Sequence, residues 1–217
     1  MALLGKAILA VWNETLPADE ADFNDWYLRE HIPERTSVPG MVRGRRYESL
    51  DGAPKNMALY EALTLDVLTS GAYRTQLANP TPWTKRIGTK FSFMRRGICD
   101  VIAAAGEGVG GYATALHFSP PDLAAARAWA EAIVSELVAM RQICGAHCWV
   151  AADGETPTPT SALSERATVH GPVAWVLAIE AADLAALEAA KAAVLAGTTP
   201  APLSPYPNYR LVYVLER

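Results

Sequence analysis

The chain has 217 residues, 51% of them hydrophobic, a net charge of -4 and three cysteines. That is one large domain or two small ones. The acidic balance excludes a basic nucleic-acid footprint, the odd cysteine count argues against a disulfide framework, and no apolar run approaches the roughly 20 residues that span a bilayer.

Residues 5–14 alternate as a strand, with Ile8, Ala10, Trp12 and Glu14 on one side and Leu9, Val11 and Asn13 on the other. The start turns polar too soon for a signal peptide, so a cytoplasmic protein is expected. A helix then runs from about Pro17 to His31, and Pro33 is expected to disrupt it. Residues 41–49 and 56–63 read as strands around the Asp51-Gly52 turn. A helix covers roughly 65–77, Asn79-Pro80-Thr81-Pro82 ends it, residues 83–87 form a short helical piece or loop, and a strand spans about 91–103. The order is βαββαβ.

After the glycines at 106, 108, 110 and 111 the same order returns. A strand is expected at 112–118, and Asp122 caps a long Ala-rich helix to about Gln142. Then come a strand at 144–151, an Asp153-Gly154 turn, a polar loop whose Pro-Thr stretch at 156–163 reads as an exposed hairpin extension, a strand at 173–179, a helix at 183–195 and a strand at 209–215. Trp26 aligns with Trp129, Tyr47 with Trp149, and Tyr60-Glu61 with Ile179-Glu180. The expected fold is α+β: two ferredoxin-like βαββαβ units, 1–105 and 106–217, duplicated in tandem and closing an intrachain dimeric-type α/β barrel. Any pocket lies between sheet and helices or inside the barrel.

The densest chemistry lies in residues 22–40, DFNDWYLREHIPERTSVPG, where Asn24, Tyr27 and His31 share one helix face. With Val11-Trp12-Asn13, Arg45-Arg46-Tyr47, Leu59-Tyr60-Glu61 and Asn79-Pro80-Thr81-Pro82-Trp83-Thr84, this segment makes residues 8–96 resemble the EthD-like branch of the dimeric α/β-barrel superfamily. The second half keeps the pattern of elements and loses the motif: Val134 stands where His31 does, and His147-Cys148 where Arg45-Arg46 do. The resemblance implies a barrel closed within one chain, with pairing into a homodimer left open. It covers monooxygenases, cyclases, decarboxylases, isomerases and heme-handling proteins, so it fixes the fold better than the reaction.

Four residues are candidates for catalysis. His31 titrates near neutrality and sits near an expected helix end, where the dipole favours its cation; the bland alternative is a histidine holding the helix to Tyr60 or Glu61. Arg45 offers a planar fork for a carboxylate or enolate, unless it is spent on Glu61 or Glu48. Asn13 and Tyr60 could orient substrate or hold developing charge. Trp12, Glu14, Tyr27, Glu61 and Trp83 are expected to bind substrate, with Trp83 in a lid and Trp26 architectural. No metal-ligand spacing is present, and Cys144, His147 and Cys148 lack a second ligand pair. Together these residues suggest a cofactor-free, decarboxylase-like lyase acting on a hydrophobic or aromatic organic acid, with no cofactor and no nucleic-acid or membrane partner. The rivals are a cofactor-free oxygenase or isomerase/cyclase on a phenolic or polyketide-like substrate, and a non-catalytic ligand-binding or stress protein.

Overall fold

A computed structural model describes residues 2–152, 168–169 and 174–217. The first half comprises β1 (Ala7–Thr15), α1 (Glu20–Trp26), α2 (Ile32–Thr36), β2 (Met41–Ser49), β3 (Asn56–Ala62), α3 (Leu65–Thr69), α4 (Gly71–Ala78), α5 (Pro82–Gly88) and β4 (Phe91–Gly106). The second comprises β5 (Tyr112–Phe118), α6 (Leu123–Val138), β6 (Ile143–Ala151), the two-residue β7 (Thr168–Val169), β8 (Trp175–Ala181), α7 (Leu184–Ala196) and β9 (Ser204–Glu216). The turn at Asp153-Gly154 and the Pro-Thr hairpin extension lie outside the described residues.

Eight strands close a ring in the order β1-β3-β2-β9-β5-β8-β6-β4, and β4 returns to β1. Every pairing in the ring is antiparallel. Two long strands sew the halves together. β4 pairs with β1 along its first part and with β6 along its second, while β9 runs from β5 to β2. Closure leaves no open sheet edge in the ring, which is how a barrel avoids edge-to-edge association. The ferredoxin-like, barrel-forming α+β fold read from the sequence is the fold observed.

Alternation along the strands makes three cores. Leu9, Val11 and Tyr60 pack outward under α1–α5, and Leu116, Cys148, Leu177 and Ile179 pack outward under α6 and α7. Ile8, Ala10, Trp12, Tyr47, Leu59, Trp149 and Tyr209 fill the barrel. Cys99 and Cys148 are buried thiols, each pushed up to about 12 by burial. No helix among the described residues is long and apolar enough to cross a membrane.

Pro33 does not end the first helix. The chain passes from α1 through one wide π-helical turn, Tyr27–His31, directly into α2. The wide turn absorbs the amide that proline lacks, and such turns concentrate at functional positions. His31 therefore lies within a helical run and not at its C-terminus. The expected 65–77 helix breaks at Ser70, whose side chain caps α4 by accepting from Tyr73 N (3.1 Å). Asp122 caps α6 by accepting from Ala124 N (2.9 Å) and Ala125 N (3.0 Å).

Candidate functional site

Adjacent residues on one strand point to opposite faces, so the expected constellation divides in two. Asn13, Tyr27, His31 and Tyr60 meet on the helix side of the first half, where they line one cavity with Trp26, Arg35, Tyr73, Phe91, Met94 and Arg96. Trp12, Arg45 and Glu61 point into the barrel.

On the helix side, Gly44 of β2 lets α2 settle onto the sheet: a Cβ there would meet Ile32 Cγ2 at 2.8 Å. That close approach places His31 over Tyr60, with ring centroids 6.0 Å apart. His31 stacks on Trp26 at 4.1 Å and meets the Tyr27 ring edge-on at 5.3 Å. Its Nδ1 is enclosed and has no hydrogen-bond partner, as is the Tyr60 hydroxyl. Asn13 Nδ2 donates to Tyr27 OH (2.9 Å). Burial, then the positive charges of Arg35 and Arg96, push His31 well below its ordinary value. This reverses the expected helix-dipole stabilisation of the cation: the imidazole is neutral at pH 7. Burial, reinforced by Tyr27, pushes Tyr60 well above 10, so its hydroxyl stays protonated and available as a donor.

The half-buried rim of the cavity is Leu77, Pro80 and Thr84. Glu30 fixes this rim by accepting from Thr81 (2.6 Å) and Thr84 (2.9 Å), and Thr84 Oγ1 accepts from Trp26 Nε1 (3.0 Å). Trp26 belongs to the first-half core and also lines the cavity, whereas Trp83 packs against that core outside the cavity and donates to Asp22 Oδ1 (2.9 Å). Arg46, which faces the helices, braces the site from behind by donating to Asn24 (2.5 Å) and Asn56 (2.9 Å), with its guanidinium 5.0 Å from the Tyr27 ring centroid.

Inside the barrel, Arg45 is held between two carboxylates. Its Nη1 donates to Glu180 Oε1 (2.6 Å) and Tyr47 OH (2.9 Å), and its Nη2 lies 3.0 Å from Glu61 Oε1. Glu61 also accepts from Arg43 (2.7 and 3.0 Å) and Leu4 N (2.8 Å). Glu180 lies 3.0 Å from His147 Nε2 and accepts from Gly110 N (3.3 Å). Burial alone would raise the Glu180 carboxyl; Arg45 and His147 outweigh it and hold it at about 2. Arg45 Nε and Nη2 make no hydrogen bond, but the guanidinium is buried against two carboxylates inside the barrel, on the other side of the sheet from the cavity, and neither Arg45 nor Glu61 lines it. Trp12 is fully buried in the barrel interior. Glu14 lines a different cavity at the barrel mouth.

The sequence reading passed over Arg35, Arg96 and Tyr73. Arg35 follows His31 at i+4 and shares its helix face; Arg96 alternates with Met94 on the same side of β4. Among the described residues no group of three or more His, Cys, Asp or Glu side chains could hold a metal ion.

No family model matches the chain, and no curated protein matches it. Solved structures match it along its whole length. An anthrone oxidase-like protein aligns with TM-score 0.61 at 9% identity, over 100% of this chain and 95% of its own. A putative monooxygenase from Fusobacterium nucleatum aligns with TM-score 0.61 at 10% identity, over 99% and 96%. A heme-binding protein from Thermus thermophilus aligns with TM-score 0.52 at 10% identity, over 96% and 92%. At this identity the likeness defines the fold: the chain is a ferredoxin-like barrel of the dimeric α+β kind.

These matches correct the functional expectation. They are described as oxidase-like, monooxygenase or heme-binding proteins, and others as chlorite dismutases. The cofactor-free decarboxylase-like lyase is therefore set aside, as is the EthD-like label, which no family model supports.

Heme is the group such relatives raise. His31 is the histidine lining the first-half cavity, and its unpartnered Nδ1 is a nitrogen donor. The cavity volume is about 80 Å³, below the ~150 Å³ that accommodates benzene in an engineered core. A macrocycle does not fit these side chains as they stand. A further cavity, about 250 Å³ between α6 and α7, is lined by residues such as Trp129, Glu136 and Met140 and, among the described residues, by no histidine.

Proposed function

We propose that the protein is an oxidoreductase of the oxidase or monooxygenase kind, acting on a small phenolic molecule in the His31 cavity. The observation that carries this reading is a neutral imidazole with an enclosed, unpartnered Nδ1, in an aromatic cavity that the Arg35 and Arg96 side chains also line. A neutral imidazole accepts a proton at pH 7. The Arg35 and Arg96 charges that disfavour the imidazolium favour a phenolate in the same space. Tyr60 donates to the substrate oxygen, and Asn13 fixes the Tyr27 hydroxyl beside it. The cavity takes the hydroxyl-bearing edge of one ring, and the rest of the molecule lies at the rim of Leu77, Pro80 and Thr84. Deprotonation makes a phenol easier to oxidise, so the chain's own residues bind, orient and ionise the substrate before its electrons pass to dioxygen, the oxidant.

Segments 1–105 and 106–217 are read as copies of one unit, of which the first works on substrate. This reading is supported by the repeated element order and by the equivalent positions of Glu61 and Glu180.

The test is oxygen uptake with a panel of phenols and hydroxylated fused-ring ketones, each assayed with and without added hemin. Uptake that depends on the phenolic hydroxyl, and falls about 10²- to 10⁴-fold in His31→Ala, is expected. Phenol-dependent uptake that survives unchanged in His31→Ala would overturn the assignment.

A further inference from the structure

The barrel has a second polar cluster, at the end away from the Arg45 network. His117 of β5 is 4% exposed, and neither of its ring nitrogens has a hydrogen-bond partner. His117 and Trp149 flank Val176 from both sides on the interior face. Trp12 completes the layer from across the barrel, its ring 4.6 Å from that of His117. The indole Nε1 of Trp12 and that of Trp149 are likewise buried and unpartnered. Four orphan polar atoms in one layer is not what a barrel core needs for packing, since buried polar groups are nearly always paired.

Among the described residues, Tyr206 lies between this layer and a cavity at the barrel mouth. Tyr206 stacks on His117 at 4.1 Å and meets Trp12 edge-on at 5.5 Å. It also lines a cavity of about 290 Å³ with Glu14, Ala53, Pro54, Phe93 and Arg95. The Tyr206 backbone carbonyl is held by Lys191 Nζ (2.8 Å) and Thr114 Oγ1 (3.2 Å). Among the described residues its ring meets His117 and Trp12, and its hydroxyl accepts from Arg95 Nη1 (3.0 Å).

We propose that this barrel mouth is a second ligand site, distinct from the His31 cavity, which takes a small aromatic carboxylate once Tyr206 swings aside. An indole N–H donates and cannot accept, and a neutral imidazole adds one more donor, so the layer calls for a ligand rich in acceptors. Arg95 and Glu14 both line the cavity, so the buried donors, and not net charge, select the ligand. A flat ring replaces the stacking that Tyr206 gives up against His117 and Trp12.

Benzoate is the probe, titrated into the full chain by calorimetry and followed by tryptophan fluorescence. Saturable binding is expected that weakens about tenfold or more in His117→Phe and is retained in His31→Ala. Tyr206→Ala, which removes the door without touching the buried layer, is expected to speed association, and far-UV circular dichroism confirms the fold of each variant. The proposal is overturned if benzoate does not saturate, or if its binding is lost in His31→Ala and kept in folded His117→Phe. Phenol oxidation at the His31 cavity is read separately, so the two sites fail independently.

Discussion

Trp12 and Asn13 are neighbours on β1 and belong to different chemistries. Asn13 faces the helices and joins Tyr27, Tyr60 and His31 around a cavity whose polar atoms are partly unpaired. On the same strand pairs, the residues that face inward meet a barrel end where Arg43, Arg45, Glu61, Glu180 and His147 bind one another. The interior end pairs charge with charge, although Arg45 Nε and Nη2 and His147 Nδ1 make no hydrogen bond there; the helix side instead leaves neutral donors and acceptors unpaired beside a cavity. Ion pairs hold the halves of the barrel together; unpaired polarity beside open space is what a ligand can use.

The sharpest way to break this contrast is to remove one interior charge. Glu180→Ala leaves Arg45 and His147 buried without that carboxylate and is expected to cost about 3–5 kcal/mol in urea unfolding, with the phenol affinity of the remaining folded protein unchanged. A comparable loss from His31→Ala would mean that the two faces are not different in kind.

Gly44→Ala tests whether close packing places the imidazole. The added Cβ meets Ile32 at 2.8 Å and must displace α2, an overpacking cost of about 1–3 kcal/mol. Phenol turnover is expected to fall with it, and unimpaired turnover would show that the seat of α2 does not matter to His31.

Acid separates the faces by the order in which they titrate. The Glu180 carboxyl sits at about 2 in the fold against an ordinary 4.5. The unfolded chain therefore binds the proton first, and this contribution to stability is full above 4.5 and lost as pH falls toward 2. His31 is also depressed, so the unfolded chain binds its proton first as well, and stability declines as pH drops below about 6.5, the ordinary histidine value. Two successive losses are expected in a pH series of urea midpoints. Burial holds His117 at about 3, so it shares the upper loss; His31→Gln should reduce that loss and leave the lower one, and a pH series unchanged by that substitution would contradict the assignment.

The smallest effect is expected from Tyr60→Phe. The hydroxyl it removes is buried and unpartnered, so stability should hold or rise by about 1 kcal/mol while phenol turnover drops. A clear loss of stability would show that the hydroxyl is paired in solution.

Much of this was legible in the chain. Alternation put Asn13 opposite Trp12 and separated Arg45 from Arg46, and the repeated element order gave the barrel. Periodicity states which residues share a face, but it does not say which face has room. That gap led the sequence reading to join Arg45 and Glu61 to His31 across a sheet. Pro33 misled in another way, because the π turn that carries the chain past it has no signature in composition. Pro205 and Pro207 hid the beginning of β9 at Ser204, since proline argues against a strand except where its missing donor is tolerated. Arg35 and Arg96 were visible as charges, but their joint action on one imidazole comes from the fold.

The central claim is that His31 is a neutral proton acceptor in a phenol-binding cavity. The most direct measurement is a ¹⁵N NMR titration of the His31 ring against pH, with and without a phenol. The account predicts an imidazole that stays neutral well below pH 6.5, with ring resonances that move when a phenol is added and do not move with the matching unhydroxylated ring. A ring that titrates at or above its ordinary value and ignores the phenol would contradict it.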